Sequence, residues 1–112
     1  MTQFEIWIAD LPAVGGSIQS GTRPVVIVSN DAANRFSPVI TAVPLTSNLH
    51  KTALPTHVLL RERGLTSPSL ALCEQILSMD KSCLIKRIGI VESSFARFAL
   101  RHALLVQLDL TA

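Results

Sequence analysis

The chain is short of charge, of cysteine and of long apolar runs, and each shortage closes off a class of protein. Charged residues make up 16% of its 112 residues, ten Lys or Arg against eight Asp or Glu, for a net charge of +2. Such a balance permits a polyanionic partner without arguing for one, so the local placement of basic residues has to decide. The two cysteines, Cys73 and Cys83, show no CxxC or His-rich spacing. Neither a zinc site nor a disulfide framework is indicated, and reduced core thiols are expected. No window reaches the roughly 18 consecutive apolar residues of a membrane span, and "MTQFEIWIAD" has no basic segment followed by a long apolar one. A cytoplasmic protein without a membrane partner is expected.

What the chain has instead is hydrophobicity, at 48% of its residues. A chain of this length forms one core, so residues 1–112 read as a single domain. So much apolar surface beside so little charge implies that part of it faces another protein, hence an oligomer.

Periodicity predicts short strands: "FEIWIA" near 4–9, "RPVVIVS" near 23–29, "PVITAVPLT" near 38–46, "THVLLR" near 56–61, "SLALCEQILSM" near 69–79 and "KRIGIV" near 86–91. Several are too apolar to have a wet face. Between them, "DAANRF" reads as a short helical turn capped by Asn30 or Asp31. The spacing suits a small barrel of mainly β class. "ESSFARFALRHALLVQLDL", from Glu92, is the one long helix candidate, with Ser93 or Ser94 as N-cap. Phe95, Phe98, Ala99, His102, Leu105 and Val106 share one face, which is expected to pack in the core or a dimer, or to receive a partner peptide. Arg97 and Arg101 lie on another face.

Two strand ends each present one chemically useful side chain. In "SGTRPVVIVSND" Arg23 opens an apolar strand, and in "VPLTSN" Thr46 closes one. Either alone is weak evidence; brought together, a guanidinium and a hydroxyl can bind a phosphodiester and stabilise charge on its oxygens. The loop "LPAVGGSIQSG" lacks the lysine of a Walker A loop, so it does not cradle nucleotide phosphates. It is either a plain flexible hairpin or a flap whose Ser17, Gln19 and backbone amides touch a polymeric ligand. Among the histidines, His57 is the first choice for a proton-transfer role, ahead of His50 and His102, although strand or surface histidines of no chemical role are commoner. Asp80 and Lys81 read as a turn pair, either a cap or a surface ion pair. Arg35, Lys51, Arg61, Arg63, Lys86 and Arg87 are each either solvated or part of a groove for a phosphate backbone.

"EIWIADLPAVGGSIQSGTRPVVIVSNDAANRFSP", "VPLTS", "LPTHV" and "LCEQILSMDKS", in that order, resemble the MazF/PemK-like mRNA interferases, the toxins of type II toxin–antitoxin systems. The resemblance covers Glu5 to Val91. It implies a small SH3-like barrel with a C-terminal helix, a homodimer, a cognate antitoxin as partner, and endoribonuclease activity on single-stranded mRNA that needs no metal or other cofactor. Arg23 falls on the family's catalytic arginine and Thr46 on its catalytic threonine. By the same matching, Gln19, Ser47 and Gln75 are candidates for holding RNA, and Ser17, Gly21, Thr22 and Asn48 are counted with them. The implied reaction is attack of an RNA 2′-hydroxyl on its own phosphate, leaving 2′,3′-cyclic phosphate and 5′-hydroxyl ends. Ile18 stands where many relatives carry an acidic residue, which bears on loop electrostatics and target sequence, and the C-terminal helix carries Phe and Arg where theirs is acidic, which bears on dimer packing or antitoxin docking. A non-enzymatic gyrase poison of the CcdB kind on the same fold, or an inactive antitoxin-binding barrel acting in operon repression, are the alternatives.

Overall fold

Val25, Val26 and Ile27 have no exposed surface, and the reason sets the architecture. In the computed structural model, which describes residues 1–50 and 53–110, they lie in β2 (Gly21–Ile27), between β1 (Glu5–Leu11) and β3 (Val39–Thr46). With β4 (His57–Leu60), β5 (Ser69–Leu72), β6 (Leu77–Asp80) and β7 (Leu84–Ile90) they form a seven-stranded sheet of order β4-β5-β3-β2-β1-β7, β6 pairing with β3 off that path. The pairings are antiparallel. A short helix, α1 (Asp31–Phe36), joins β2 to β3, and a long one, α2 (Ser94–Leu108), follows β7. The expected mainly β architecture with a C-terminal helix is the one observed.

Successive side chains of a strand face opposite ways, and here both faces are covered. Ile6, Val26, Val43 and Leu45 point into a core closed by Leu60, Cys73 and the α2 residues Leu100 and Ala103. Their neighbours Leu11, Val25, Ile27, Ile40 and Ala42 point into a second core with Met79. Central strands buried on both faces read as unbroken apolar runs rather than as alternation. β3 serves both halves of the sheet: Ala42 to Pro44 pair with β2, Val39 to Ala42 with β6, and Leu45 and Thr46 with β5.

Two expectations are corrected. Residues 69–79 are not one strand, because a 3₁₀ turn, Cys73–Gln75, separates β5 from β6. The Cys73 amide bonds the Thr56 carbonyl at 3.1 Å and the Ile76 amide bonds back to the Cys73 carbonyl at 3.3 Å, which folds the chain out of the ladder. Of the roles expected for the Phe95 and Phe98 stripe of α2, core packing is the one excluded: these rings are 80% and 67% exposed, and Ala96, Leu100 and Ala103 face the sheet instead. Small alanines let the helix axis approach where phenylalanines would hold it off. On a third face Arg97 and Arg101 lie over the Phe4 ring, 5.3 and 4.9 Å from its centroid.

The caps follow the polar residues that flagged them. The Asn30 carboxamide accepts from the Ala33 amide at 2.8 Å to start α1. Ser93 accepts from the Ala96 amide at 3.1 Å to start α2. Asp80 makes no ion pair with Lys81; it caps a 3₁₀ turn, Lys81–Cys83, by accepting from the Ser82 amide at 2.9 Å, and those bonds hold its carboxyl below the ordinary value. Cys73 is buried and Cys83 half-buried, both unpaired. Burial, helped by the Glu74 charge, pushes the Cys73 thiol up to about 12. Glu5, 7% exposed, is the buried carboxylate of β1. Burial works to raise its pKa, but bonds from Trp7 Nε1 at 2.9 Å and from the Thr2 amide and hydroxyl at 2.7 and 3.0 Å outweigh it, and the carboxyl sits below its ordinary value. Among the described residues no helix is long and apolar enough to cross a membrane.

Candidate active site

β2 and β3 are paired with Val25 opposite Pro44 and Val26 opposite Val43. Continuing that register toward the start of β2 sets Arg23 opposite Thr46, where β3 leaves β2 for β5. The pleat turns both to the face that carries Val25, Ile27 and Ala42, so the two side chains occupy neighbouring cross-strand positions on one rim. Arg23 is half-buried and Thr46 only 7% exposed.

Each of the pair is held by local bonds. Arg23 Nε donates to the Ser20 carbonyl at 2.9 Å, and an Nη donates to the Gln19 carboxamide oxygen. A guanidinium has five N–H donors; two are used in these bonds, and the remainder is free for a ligand. Thr46 Oγ1 accepts from the Asn48 amide at 3.2 Å, which fixes the oxygen and leaves its hydrogen available to donate. A polar cavity of about 220 Å³ opens beside Arg23, lined also by Thr22, Pro24, Leu45, Ser47, Thr66, Ser67 and Ser69 and not by Thr46. Thr66 and Ser67 reach it because their loop crosses β7 at Gly64, whose φ is +93° and where a Cβ would stand 1.9 Å from the Ile88 carbonyl oxygen.

The remaining candidates gather at the same rim with different duties. Gly21, at φ +77°, turns the chain into β2, and Thr22, Ser47 and Asn48 are exposed beside Arg23 and Thr46. Gln75 is the tie between the 3₁₀ turn and the first loop: its oxygen accepts from the Gln19 amide at 2.8 Å and its nitrogen donates to the Ser17 carbonyl at 3.1 Å. The Ser17 side chain itself is exposed. An apolar cavity of about 210 Å³ lies under this loop, walled by Leu11, Ile18, Pro44, Ile76 and Leu77.

Among the described residues no histidine ring bonds Arg23 or Thr46. His57 Nε2 is 2.9 Å from Glu74 Oε2, and its Nδ1 is buried without a partner beside a groove formed with Phe95 and Phe98 of α2. His102 stacks on Phe98 with centroids 6.3 Å apart, and the His50 amide bonds Asn48 Oδ1 at 3.1 Å. Of the basic residues, Arg35 lies over the Phe36 ring at 5.2 Å, Arg87 pairs with Glu5 at 3.3 Å, and Arg61, Arg63 and Lys86 are exposed; Lys51 lies outside the described residues. Thr56 and Glu74, which the sequence reading passed over, are bonded to each other at 3.1 Å. A signal was present, since both sit inside the stretches "LPTHV" and "LCEQI" that carry the resemblance.

A family described as the PemK-like, MazF-like toxin of type II toxin-antitoxin systems matches residues 2–105. A relative named endoribonuclease MazF, from Staphylococcus epidermidis, is 37% identical over 92 residues, covering 80% of this chain and 77% of its own. Among solved structures, an endoribonuclease in complex with its cognate antitoxin from a Mycobacterial species is 26% identical with a TM-score of 0.81, covering 100% of this chain and 98% of its own. The Mycobacterium tuberculosis toxin MazF-mt6 is 25% identical, also at TM-score 0.81, over 96% of this chain and 99% of its own.

Proposed function

The chain belongs to the PemK-like, MazF-like toxins of type II toxin–antitoxin systems, and from that premise we propose that it is an endoribonuclease that cuts single-stranded mRNA and so arrests translation and growth. The observation that carries this reading is the β2–β3 register, which, continued two residues beyond its last pair, Val25 and Pro44, brings Arg23 and Thr46 to facing positions at one rim. A relative named endoribonuclease MazF supports it. The relative solved with its cognate antitoxin supports a homologous antitoxin as partner, and a homodimer acting in the cytoplasm is part of the same reading.

In this reading the RNA 2′-oxygen forms a bond to the adjacent phosphorus while the 5′-oxygen leaves. The 2′-hydroxyl gives up its proton and the departing oxygen takes one up, so the products are a 2′,3′-cyclic phosphate and a 5′-hydroxyl. The free N–H groups of Arg23 neutralise the charge that gathers on the five-coordinate phosphorus. A guanidinium of pKa above about 12 is a poor base, so Arg23 acts by charge and hydrogen bonding. Thr46 donates its hydroxyl hydrogen to a phosphoryl oxygen. Exposed Thr22, Ser47 and Asn48, with the Gln19 loop, hold the flanking nucleotides. DNA lacks the attacking hydroxyl and is not cut.

Incubating purified protein with a long RNA in EDTA and mapping the ends tests this. Cuts bearing cyclic phosphate and 5′-hydroxyl ends are expected with the chelator present. Intact RNA from a protein that still arrests growth would replace this reading with a toxin that works through protein contacts.

A further inference from the structure

We propose that Glu74 is a positioning residue for Arg23, acting through a relay that runs Glu74–Gln75–Gln19–Arg23. It rests on the nuclease reading for its kinetic consequence and on the hydrogen bonds around Gln75 and Glu74 for its mechanics. The loop from Pro12 to Ile18 is exposed throughout and has Gly15 and Gly16 at φ +81° and +66°, so its own packing does not hold it. It is docked at its far end, at Ser17, Gln19 and Ser20, by the two hydrogen bonds of Gln75 and the two of Arg23.

The position of Gln75 is itself decided one residue earlier. Its 3₁₀ turn has three residues and no side-chain bond at the N-cap, Leu72. Besides the Cys73 amide bond to the Thr56 carbonyl, what ties its side-chain face to β4 is Glu74, whose Oε1 accepts from Thr56 Oγ1 at 3.1 Å and whose Oε2 meets His57 Nε2 at 2.9 Å. With the Glu74 side chain 25% exposed and that of His57 only 6%, the clamp is largely shielded from competing water. Releasing it lets the turn rotate, withdraws the carboxamide from Gln19 and frees the Arg23 guanidinium from the angle at which it meets the phosphate. A displacement of this kind lowers the chemical step more than it weakens binding.

Glu74→Ala and the near-isosteric Thr56→Val are the variants, each checked for folding by thermal melting; Thr56→Val keeps the question open to measurement if Glu74→Ala does not fold. The relay predicts faster hydrogen exchange at the Gln19 amide by NMR and a kcat lower by about tenfold with KM changed little. Because it acts through Gln19, adding Glu74→Ala or Thr56→Val to Gln19→Ala costs no further activity. Unchanged Gln19 exchange, or losses that simply add in the double variant, would overturn the relay. Wild-type protein that cuts no RNA would overturn the nuclease reading instead, and the Gln19 exchange rates would then decide the clamp alone.

Discussion

A single guanidinium and a single hydroxyl account for the proposed chemistry, and their replacement separates charge from geometry. Arg23→Ala is expected to lower RNA cleavage by at least about 10²-fold, the scale seen when one donor to a developing charge is removed. Arg23→Lys should not restore it, since an ammonium cannot bond Ser20, Gln19 and a phosphate together as the fork does. Thr46→Val removes the donor while keeping the shape, and single-turnover assays should show the loss in rate with the melting temperature nearly kept. Glu5 gives the residue-scale test of stability. Its pKa in the folded chain lies below the ordinary 4.5, so the stabilisation it brings is present above that value and is lost as pH falls through the folded pKa. Thermal melts from neutral to acid pH should therefore decline less for Glu5→Gln than for the native chain, from a lower start.

At the level of elements, what the sequence made legible was whatever depended on neighbours along the chain. The strands from β1 to β4, the α1 cap at Asn30 and the α2 cap at Ser93 were all readable from polar residues beside apolar runs. Arg23 and Thr46 were marked as rim residues for the same reason, but their pairing was not readable, because register belongs to two strands at once. The turn at Cys73–Gln75 was hidden since its cause, a bond to Thr56, lies far off in sequence. For α2 the stripe left core, dimer and partner peptide open, and the core went instead to Ala96, Leu100 and Ala103, where two small residues beside one leucine let the helix approach the sheet. Ser93→Ala should cost about 1 kcal/mol in chemical denaturation by removing the α2 cap. Gly64→Ala should cost more, for it adds a Cβ 1.9 Å from a carbonyl oxygen at a φ of +93°, and it should slow cleavage as well by displacing Thr66 and Ser67 from the rim cavity.

Over the whole molecule the charge is small, +2, so RNA must be drawn by a local rim and not by a broad field. Binding measured with Thr46→Val protein, to separate affinity from cutting while Arg23 is kept, should weaken as salt rises, with a log–log slope of about −0.7 for each phosphate neutralised. A slope near zero would place the affinity in contacts other than phosphate.

Cys73 stands beside the Glu74 clamp, wholly buried, with its thiol pushed from 9.0 up to about 12. Near neutrality its reactive anion is therefore about a thousandfold scarcer than in a free thiol. An alkylating reagent should consume half-buried Cys83 first and reach Cys73 only when the turn swings away from β4, so the native chain carries its own chemical stopwatch for how often that hinge lets go.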